Sequence, residues 1–251
     1  MTQMKRGPQK RGKVYGIGLG PGDPELMTLK AARLIREAAV IAYPTLAGGA
    51  SFARSIAADF ITDGTREIAM DVPMTVARGP AQAAYDQGAS EMATLLDSGQ
   101  DVVVLCEGDP FFYGSFMYLF ARLKSAYDVE IVPGVTSVTA CAAVAKLPLV
   151  ARNEVMTVLP APLLVGTQNR QNADACHTDI LHNADTIIVM KLGRHFAAVR
   201  ALIEAAGLTE NSVYIERATG ADEIVKPLKD APETAPYFSM ILIVKGADPW
   251  L

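Results

Sequence analysis

Short apolar, β-branched segments alternate along the chain with longer amphipathic segments, a pattern typical of an α/β fold. In the first half of the chain, the pattern predicts strands at 13–19, 40–43, 101–106 and 129–132 and helices at 24–38, 80–98, 115–124 and 136–145. The strand at 101–106, DVVVLC, is almost wholly apolar, which is expected of a strand buried on both faces of a parallel sheet.

The same alternation restarts after Pro148. The pattern there predicts strands at 155–159, 186–190, 212–216 and 238–244, a helix at 194–206, a loop or frayed helix at 166–179 and a rigid break at 160–162. We therefore expect two α/β lobes, at 13–150 and 151–251, that form a ligand cleft and follow a flexible leader at 1–12.

The composition narrows the class of protein. The chain has 251 residues, of which 50% are hydrophobic and 20% charged, so it has the composition of a folded globular protein. A net charge of −4 argues against a nucleic-acid partner. The cysteines Cys106, Cys141 and Cys176 lie far apart without a CxxC pair, so neither a disulfide framework nor a metal site is expected. No apolar run is long enough for a membrane span, and the leader lacks a signal-peptide core, so a cytoplasmic protein is expected.

Three glycine-containing segments follow predicted strands: GLGPGD at 18–23, EGDPFFYG at 107–114 and VPGVTS at 132–137. Loops at the carboxyl ends of parallel strands are where α/β proteins bind ligands. The first segment does not fit a GxGxxG dinucleotide motif, and a tight turn with positive φ is an alternative explanation. Helix capping is an alternative explanation for Thr136 and Ser137. As a polar loop residue, Asp109 is expected to be dispensable for the fold.

Taken together and in this order, the segments GLGPGDPELMTLKAARLI, EGDPFFYG and VPGVTSVTACAA resemble the tetrapyrrole (corrin and porphyrin) methyltransferase family. The resemblance extends from about residue 13 to 246. It implies two α/β lobes around a cleft, S-adenosylmethionine as methyl donor, a tetrapyrrole substrate and a homodimer. The family lacks the usual methyltransferase glycine motif, which agrees with the missing GxGxxG.

Further segments resemble the branch of the family that methylates C20 of precorrin-2 in cobalamin biosynthesis. They are Glu107 and Tyr113 around the GDP sequence, LVARN at 149–153, MKLGRH at 190–195, ERAT at 216–219 and PYFSMILIV at 236–244. The cobalt-containing substrate, cobalt-factor II, is an alternative within the family. A nicotinamide-dependent oxidoreductase and a non-catalytic tetrapyrrole carrier are alternatives of other classes.

The resemblance also implies site residues. Cofactor-binding positions are Pro21, Glu107, Gly108, Asp109, Phe112, Thr136, Ser137, Met190, Ala218, Ser239 and Met240. Glu107 or Tyr113 is expected to orient the macrocycle or to accept the departing proton. A carboxylate-rich substrate needs local cations, for which the candidates are Arg78, Arg152, Lys191 and Arg194; solvated surface charges are the alternative.

Overall fold

The structure, a computed structural model, describes residues 10–46, 49–73, 78–166 and 179–246, without the side chain of Arg78. The chain divides into two compact units between Thr136 and Ser137. The sequence pattern placed this division near residue 150. The difference is the helix that begins at Ser137, whose buried residues Val138 and Cys141 pack in a hydrophobic cluster of the second unit.

The first unit is built on a five-stranded sheet in the order β3-β2-β4-β1-β5, with every neighbouring pair parallel. Its strands are β1 Val14–Gly18, β2 Val40–Thr45, β3 Arg66–Asp71, β4 Val102–Cys106 and β5 Val129–Val132. Its helices are α1 Leu29–Glu37, α2 Phe52–Ala57, α3 Arg78–Asp97 and α4 Phe116–Leu123. All five residues of β4 are buried, which confirms the expectation from its apolar sequence.

Successive side chains of β4 point to opposite faces of the sheet, so this strand contributes to two cores. Val104 packs with Met92 of α3 and Phe116 of α4, whereas Leu105 packs with Ile35 of α1 on the other face. The helix predicted at 24–38 begins as a short 3₁₀ turn, and α1 proper starts after Thr28, whose Oγ1 accepts the Ala31 N–H at 3.2 Å.

The second unit has a mixed five-stranded sheet in the order β6-β7-β10-β8-β9. Its strands are β6 Met156–Pro160, β7 Thr186–Met190, β8 Ser212–Glu216, β9 Ile224–Pro227 and β10 Ser239–Val244. Its helices are α5 Ser137–Ala145, α6 Ala161–Leu164, α7 Asp179–Asn183 and α8 Phe196–Ala205. β10 runs antiparallel to both β7 and β8, so the first residues of β10 lie beside the last residues of its two neighbours.

The predicted α/β class is confirmed, and each predicted strand is present with ends shifted by at most two residues. The pattern missed β3, which has only two buried positions, the short helices α2 and α7, and the short strand β9. The break predicted at 160–162 is the end of β6 followed directly by α6, because Pro162 is compatible with the first turn of a helix. Most of the loop predicted at 166–179 and of the predicted leader lies outside the described residues. None of the described helices is long and apolar enough to cross a membrane.

Candidate active site

In the first unit, the loops that follow β1, β4 and β5 meet at one edge of the sheet, because these three strands are neighbours and parallel. We call residues 18–23, 107–114 and 133–136 the three-loop edge. The first two loops are joined by a short antiparallel bridge: the Gly20 N–H donates to the Gly108 carbonyl at 3.2 Å, and the Gly108 N–H donates to the Gly20 carbonyl at 2.7 Å. The segments that the sequence singled out are therefore brought together.

Asp109 holds the second and third loops in place. Its Oδ1 accepts the backbone N–H groups of Phe111 at 2.9 Å and Phe112 at 3.0 Å, and its Oδ2 accepts the Gly134 N–H at 3.1 Å. Hydrogen bonds to a carboxylate are stronger than those between neutral groups. The side chain of Asp109 thus joins the second and third loops, and its dispensability for the fold stays a prediction.

Close backbone approach explains the glycines of these loops. A Cβ atom at Gly134 would lie 2.1 Å from the Gly108 carbonyl oxygen and 2.8 Å from the Gly18 Cα. Gly20 has φ of 84° and Gly108 has φ of 62°, a conformation that favours glycine. The positive φ that the sequence suggested for the GLGPGD turn is present at Gly20.

Glu107 follows β4 directly and is half-buried. Burial raises the pKa of Glu107, although backbone N–H groups of Glu107 itself and of Ala53 partly oppose this effect. A carboxylate with a raised pKa is a better proton acceptor at neutral pH than an ordinary one. Burial also raises the pKa of the neighbouring Cys106 thiol, which therefore stays protonated and is a poor nucleophile.

Aromatic side chains line the loop after Glu107. Tyr113 is 41% exposed, has φ of 55°, and its ring packs edge-on against Phe112 with centroids 5.3 Å apart. Phe111 and Phe112 are also exposed. A residue with a Cβ atom at positive φ is strained, and such strain concentrates at functional sites.

The other predicted positions that follow β1 and β5 lie at or next to the three-loop edge along the chain. Pro21 is half-buried in the loop after β1, and Thr136 is half-buried after β5. Ser137 is the first residue of α5 and is also half-buried.

The predicted positions of the second unit lie at another sheet edge, formed by the ends of β7 and β8 and the start of β10. We call residues 190–195, 216–220 and 236–240 the strand-end edge. Met190 pairs with Met240 across the ladder, and Ser239 pairs with Glu216. The side chains of Met190, Met240 and Ala218 are buried in the cluster beneath α5, so their side chains belong to the core.

Three residues of the strand-end edge that carry a Cβ atom have a left-handed backbone conformation. Lys191, Arg217 and Thr219 have φ of 59°, 49° and 67°, all in the left-handed region. Ser239 Oγ donates to the Pro236 carbonyl at 2.5 Å, which fixes the entry to β10. The sequence did not predict these conformations, because lysine, arginine and threonine are not residue types that favour positive φ.

The structure describes the side chains of three of the four candidate cations and brings two of these three together. Lys191 and Arg194 both belong to the strand-end edge; Lys191 Nζ lies 5.9 Å from the centroid of the Tyr237 ring. Arg194 is exposed, with its Nε 3.3 Å from His195 Nε2, and burial together with this guanidinium lowers the pKa of His195. Arg152 is exposed in the turn before β6, and the side chain of Arg78 lies outside the described residues.

Arg152 lies at the opposite edge of the second sheet. β6 and β7 are parallel, with Met156 beside Thr186 at their starts and Pro160 beside Met190 at their ends. Arg152 precedes the start of β6, whereas Lys191 follows the end of β7, so a five-residue strand of about 13 Å separates the two positions. Among the described residues, no group of three His, Cys, Asp or Glu side chains is arranged to hold a metal ion.

Two α/β units, with glycine-rich loops at the carboxyl edge of a parallel sheet and no dinucleotide motif, match the fold expected of the family that the sequence resembles. The chain belongs to the family of tetrapyrrole (corrin/porphyrin) methylases, whose model matches residues 13–232. This membership confirms the predicted family.

Individual relatives agree with this assignment. The chain is 42% identical over 245 residues to the cobalamin biosynthesis protein CobIJ of Mycobacterium tuberculosis H37Rv, an alignment that covers 94% of this chain but only 46% of that protein. The chain thus spans about half the length of that relative. It is 34% identical to the precorrin-2 C(20)-methyltransferase of a Sinorhizobium species, covering 92% of this chain and 95% of that protein. It is 29% identical to the cobalt-precorrin-2 C(20)-methyltransferase of Salmonella typhimurium, covering 93% and 97%.

Solved structures share the fold. The cobalt precorrin-4 methyltransferase CbiF matches with a TM-score of 0.72 and 27% identity over 99% of this chain and 100% of that one. A uroporphyrin-III C-methyltransferase from Thermus thermophilus, complexed with S-adenosylhomocysteine, matches with a TM-score of 0.64 and 22% identity, over 93% and 98% of the two chains.

Proposed function

We propose that this chain transfers a methyl group from S-adenosylmethionine to C20 of precorrin-2 in cobalamin biosynthesis, giving precorrin-3A. The observation that carries the proposal is the 34% identity, over nearly the full length of both chains, to a protein named for this reaction. The relative named for cobalt-precorrin-2, at 29% identity over a similar span, makes the cobalt-containing form of the substrate the second candidate.

The cofactor binds at the positions that the family resemblance implies. In the first unit, the backbone of Gly108 and the side chain of Phe112 contact the methionine portion, with Asp109 holding this loop in shape through the Gly134 N–H. Pro21 and Thr136 complete this set, and Ser137, the first residue of the second unit, follows Thr136 along the chain. In the second unit, Met190 and Ala218 lie beside the adenine, and Ser239 and Met240 offer backbone contacts.

The reaction needs little from the protein beyond alignment, because the sulfonium methyl group is already electrophilic. C20 attacks this methyl carbon, the new C–C bond forms as the S–CH₃ bond breaks, and its electron pair stays on sulfur to give S-adenosylhomocysteine. C20 then loses its proton. Glu107, whose pKa burial raises, accepts this proton, and the exposed ring of Tyr113 orients the macrocycle.

Lys191 and Arg194 bind carboxylate side chains of the tetrapyrrole, because both cations lie at the same edge of the second sheet. The protein acts as a homodimer, which light scattering of the purified protein tests directly. The cytoplasmic location stays a prediction.

Mass spectrometry of the tetrapyrrole after anaerobic incubation with S-adenosylmethionine tests the proposal. Precorrin-2 and cobalt-precorrin-2 are offered in parallel, with S-adenosylhomocysteine formation followed in the same samples. Gain of one methyl group on precorrin-2 alone supports the proposal, and gain on the cobalt form alone selects the second candidate. No methyl gain on either substrate, from protein that binds S-adenosylhomocysteine, contradicts both. Titration with NAD tests the oxidoreductase alternative.

A further inference from the structure

The turn after β8 contains two strained residues on either side of Ala218. Arg217 has φ of 49° and Thr219 has φ of 67°. Residues with a Cβ atom hold this conformation only where surrounding interactions determine it. The contacts around this turn therefore show what maintains it.

The last residue of β8, Glu216, is only 6% exposed. Its Oε2 accepts a hydrogen bond from the Tyr214 hydroxyl at 2.7 Å, and its Oε1 forms an ion pair with the Arg217 guanidinium. Tyr214 is fully buried, so the carboxylate is fixed on the side of the core. A buried carboxylate needs such partners, because burial without them is strongly unfavourable.

Backbone groups and two more exposed carboxylates also hold the turn, and Arg217 Nη1 lies 3.9 Å from Oδ2 of the exposed Asp222. The Arg217 N–H donates to the Phe238 carbonyl at 3.1 Å, and the Gly220 N–H donates to the Arg217 carbonyl at 2.9 Å. The Thr219 N–H donates to Glu223 Oε2 at 2.6 Å. Glu216 is thus the buried charged side chain that restrains Arg217 itself, at the position where the left-handed turn begins.

We propose that Glu216 is a positioning residue for the cofactor: its ion pair with Arg217 holds the left-handed turn 217–219 in the conformation that S-adenosylmethionine binds. This inference rests on the proposed function, which places Ala218 beside the adenine. Glu216 touches neither cofactor nor substrate and acts through Arg217.

Glu216→Gln tests this role, because glutamine keeps the volume and an acceptor for the Tyr214 hydroxyl but loses the ion pair. The apparent affinity is proportional to the fraction of the protein that is in the conformation that binds the cofactor. Loss of the ion pair lowers this fraction, so we expect the Kd for S-adenosylhomocysteine to rise about tenfold. The KM for S-adenosylmethionine rises to the same extent, while kcat at saturating cofactor stays unchanged. Glu204→Gln is the matched control, since Glu204 forms an exposed ion pair with Arg200 on α8.

The double variant Glu216→Gln/Arg217→Gly separates positioning from a general loss of stability. Glycine adopts positive φ without strain, so it restores the turn without the ion pair and brings the Kd back to within about twofold of wild type. If Glu216→Gln does not fold, Arg217→Gln and Arg217→Gly give the same comparison at a half-exposed position: the first loses affinity and the second keeps it. An unchanged Kd in Glu216→Gln, or no rescue by glycine, overturns the proposal.

A second measurement separates this inference from the proposed cofactor site. The ε-methyl NMR signals of Met190 and Met240, assigned through Met→Leu variants, shift on addition of S-adenosylhomocysteine if the cofactor binds at the strand-end edge. Shifted signals together with an unaffected Glu216→Gln variant overturn the positioning role alone. If calorimetry shows that the protein is saturated with S-adenosylhomocysteine and the signals still do not shift, both the site and the positioning role are overturned.

Discussion

The carboxylate of Asp109 accepts the backbone N–H of Gly134 at 3.1 Å and so joins the loop after β4 to the loop after β5. The same carboxylate accepts two N–H groups of its own loop, from Phe111 and Phe112. The GDP sequence therefore contributes to the shape of the site through a side chain directed at the protein backbone.

Asp109→Asn isolates the bond between the two loops. The amide oxygen still accepts the N–H groups of Phe111 and Phe112, but the NH₂ group now faces the Gly134 N–H. We expect a loss of about 1–3 kcal/mol in the free energy of unfolding and weaker binding of S-adenosylhomocysteine. Urea denaturation and calorimetry measure the two effects. Asp63→Asn, in an exposed turn, is the control, and equal behaviour of the two variants would show that the Gly134 contact contributes nothing.

Gly134→Ala tests the close approach of the same loops. The added methyl group would lie 2.1 Å from the Gly108 carbonyl oxygen, so the backbone of both loops must shift. We expect destabilisation by about 2–4 kcal/mol or insoluble protein, and loss of cofactor binding in any protein that folds. Gly79→Ala is the control: it lies in α3 with open space around its Cα and should stabilise the helix by up to about 1 kcal/mol. A Gly134→Ala variant with wild-type melting temperature and affinity would contradict the role of this contact.

Much of the fold was predictable because apolar and amphipathic segments alternate cleanly. β4 shows this best, since a continuous apolar strand has few alternatives to the centre of a parallel sheet. β3 was not predictable, because four of its six residues are exposed and its apolar stretch is only three residues long. The boundary between the units was misplaced for a different reason: the packing partner of α5 depends on tertiary contacts that periodicity does not encode.

The sequence predicted which loops form the site but not the contacts within those loops. Glycines after successive strands mark a ligand-binding edge, but hydrogen-bond partners within the loops depend on their folded shape, as Asp109 shows. The strained backbone conformation of Arg217 was not predictable, because the residue types of this segment do not indicate a positive φ. The separation of Arg152 from Lys191 follows from the parallel register of β6 and β7, which the sequence does not reveal.

The raised pKa of Glu107 predicts that the free energy of unfolding depends on pH. Burial raises its pKa in the folded protein above the value in the unfolded chain, so the folded state binds this proton more tightly. The corresponding stability is fully present below the unfolded pKa of about 4.5 and is lost as the pH rises through the folded pKa. Glu107→Gln removes this contribution to stability. Urea denaturation at pH values from about 4.5 upward detects the removal as a changed slope of the free energy of unfolding against pH.

The same residue predicts the pH profile of methyl transfer. If Glu107 accepts the C20 proton, kcat at saturating S-adenosylmethionine rises with pH through the raised pKa of Glu107, and this limb disappears in Glu107→Gln. Glu37→Gln, which alters an exposed ion pair with Arg33, keeps the wild-type profile. An unchanged limb in Glu107→Gln would exclude Glu107 as the proton acceptor.

Arg194 and Arg152 give a matched comparison for substrate binding, because both are exposed arginines of the second unit at opposite edges of its sheet. Arg194→Gln removes a cation beside Lys191, and we expect the KM for the tetrapyrrole to rise about threefold to tenfold, a change of roughly 0.7–1.4 kcal/mol. Because the contact is exposed, the increase shrinks at high ionic strength. The KM for S-adenosylmethionine stays unchanged. Arg152→Gln leaves both values at the wild-type level if the strand-end edge binds the carboxylates, whereas a larger effect at Arg152 than at Arg194 would move the substrate to the other edge of the sheet.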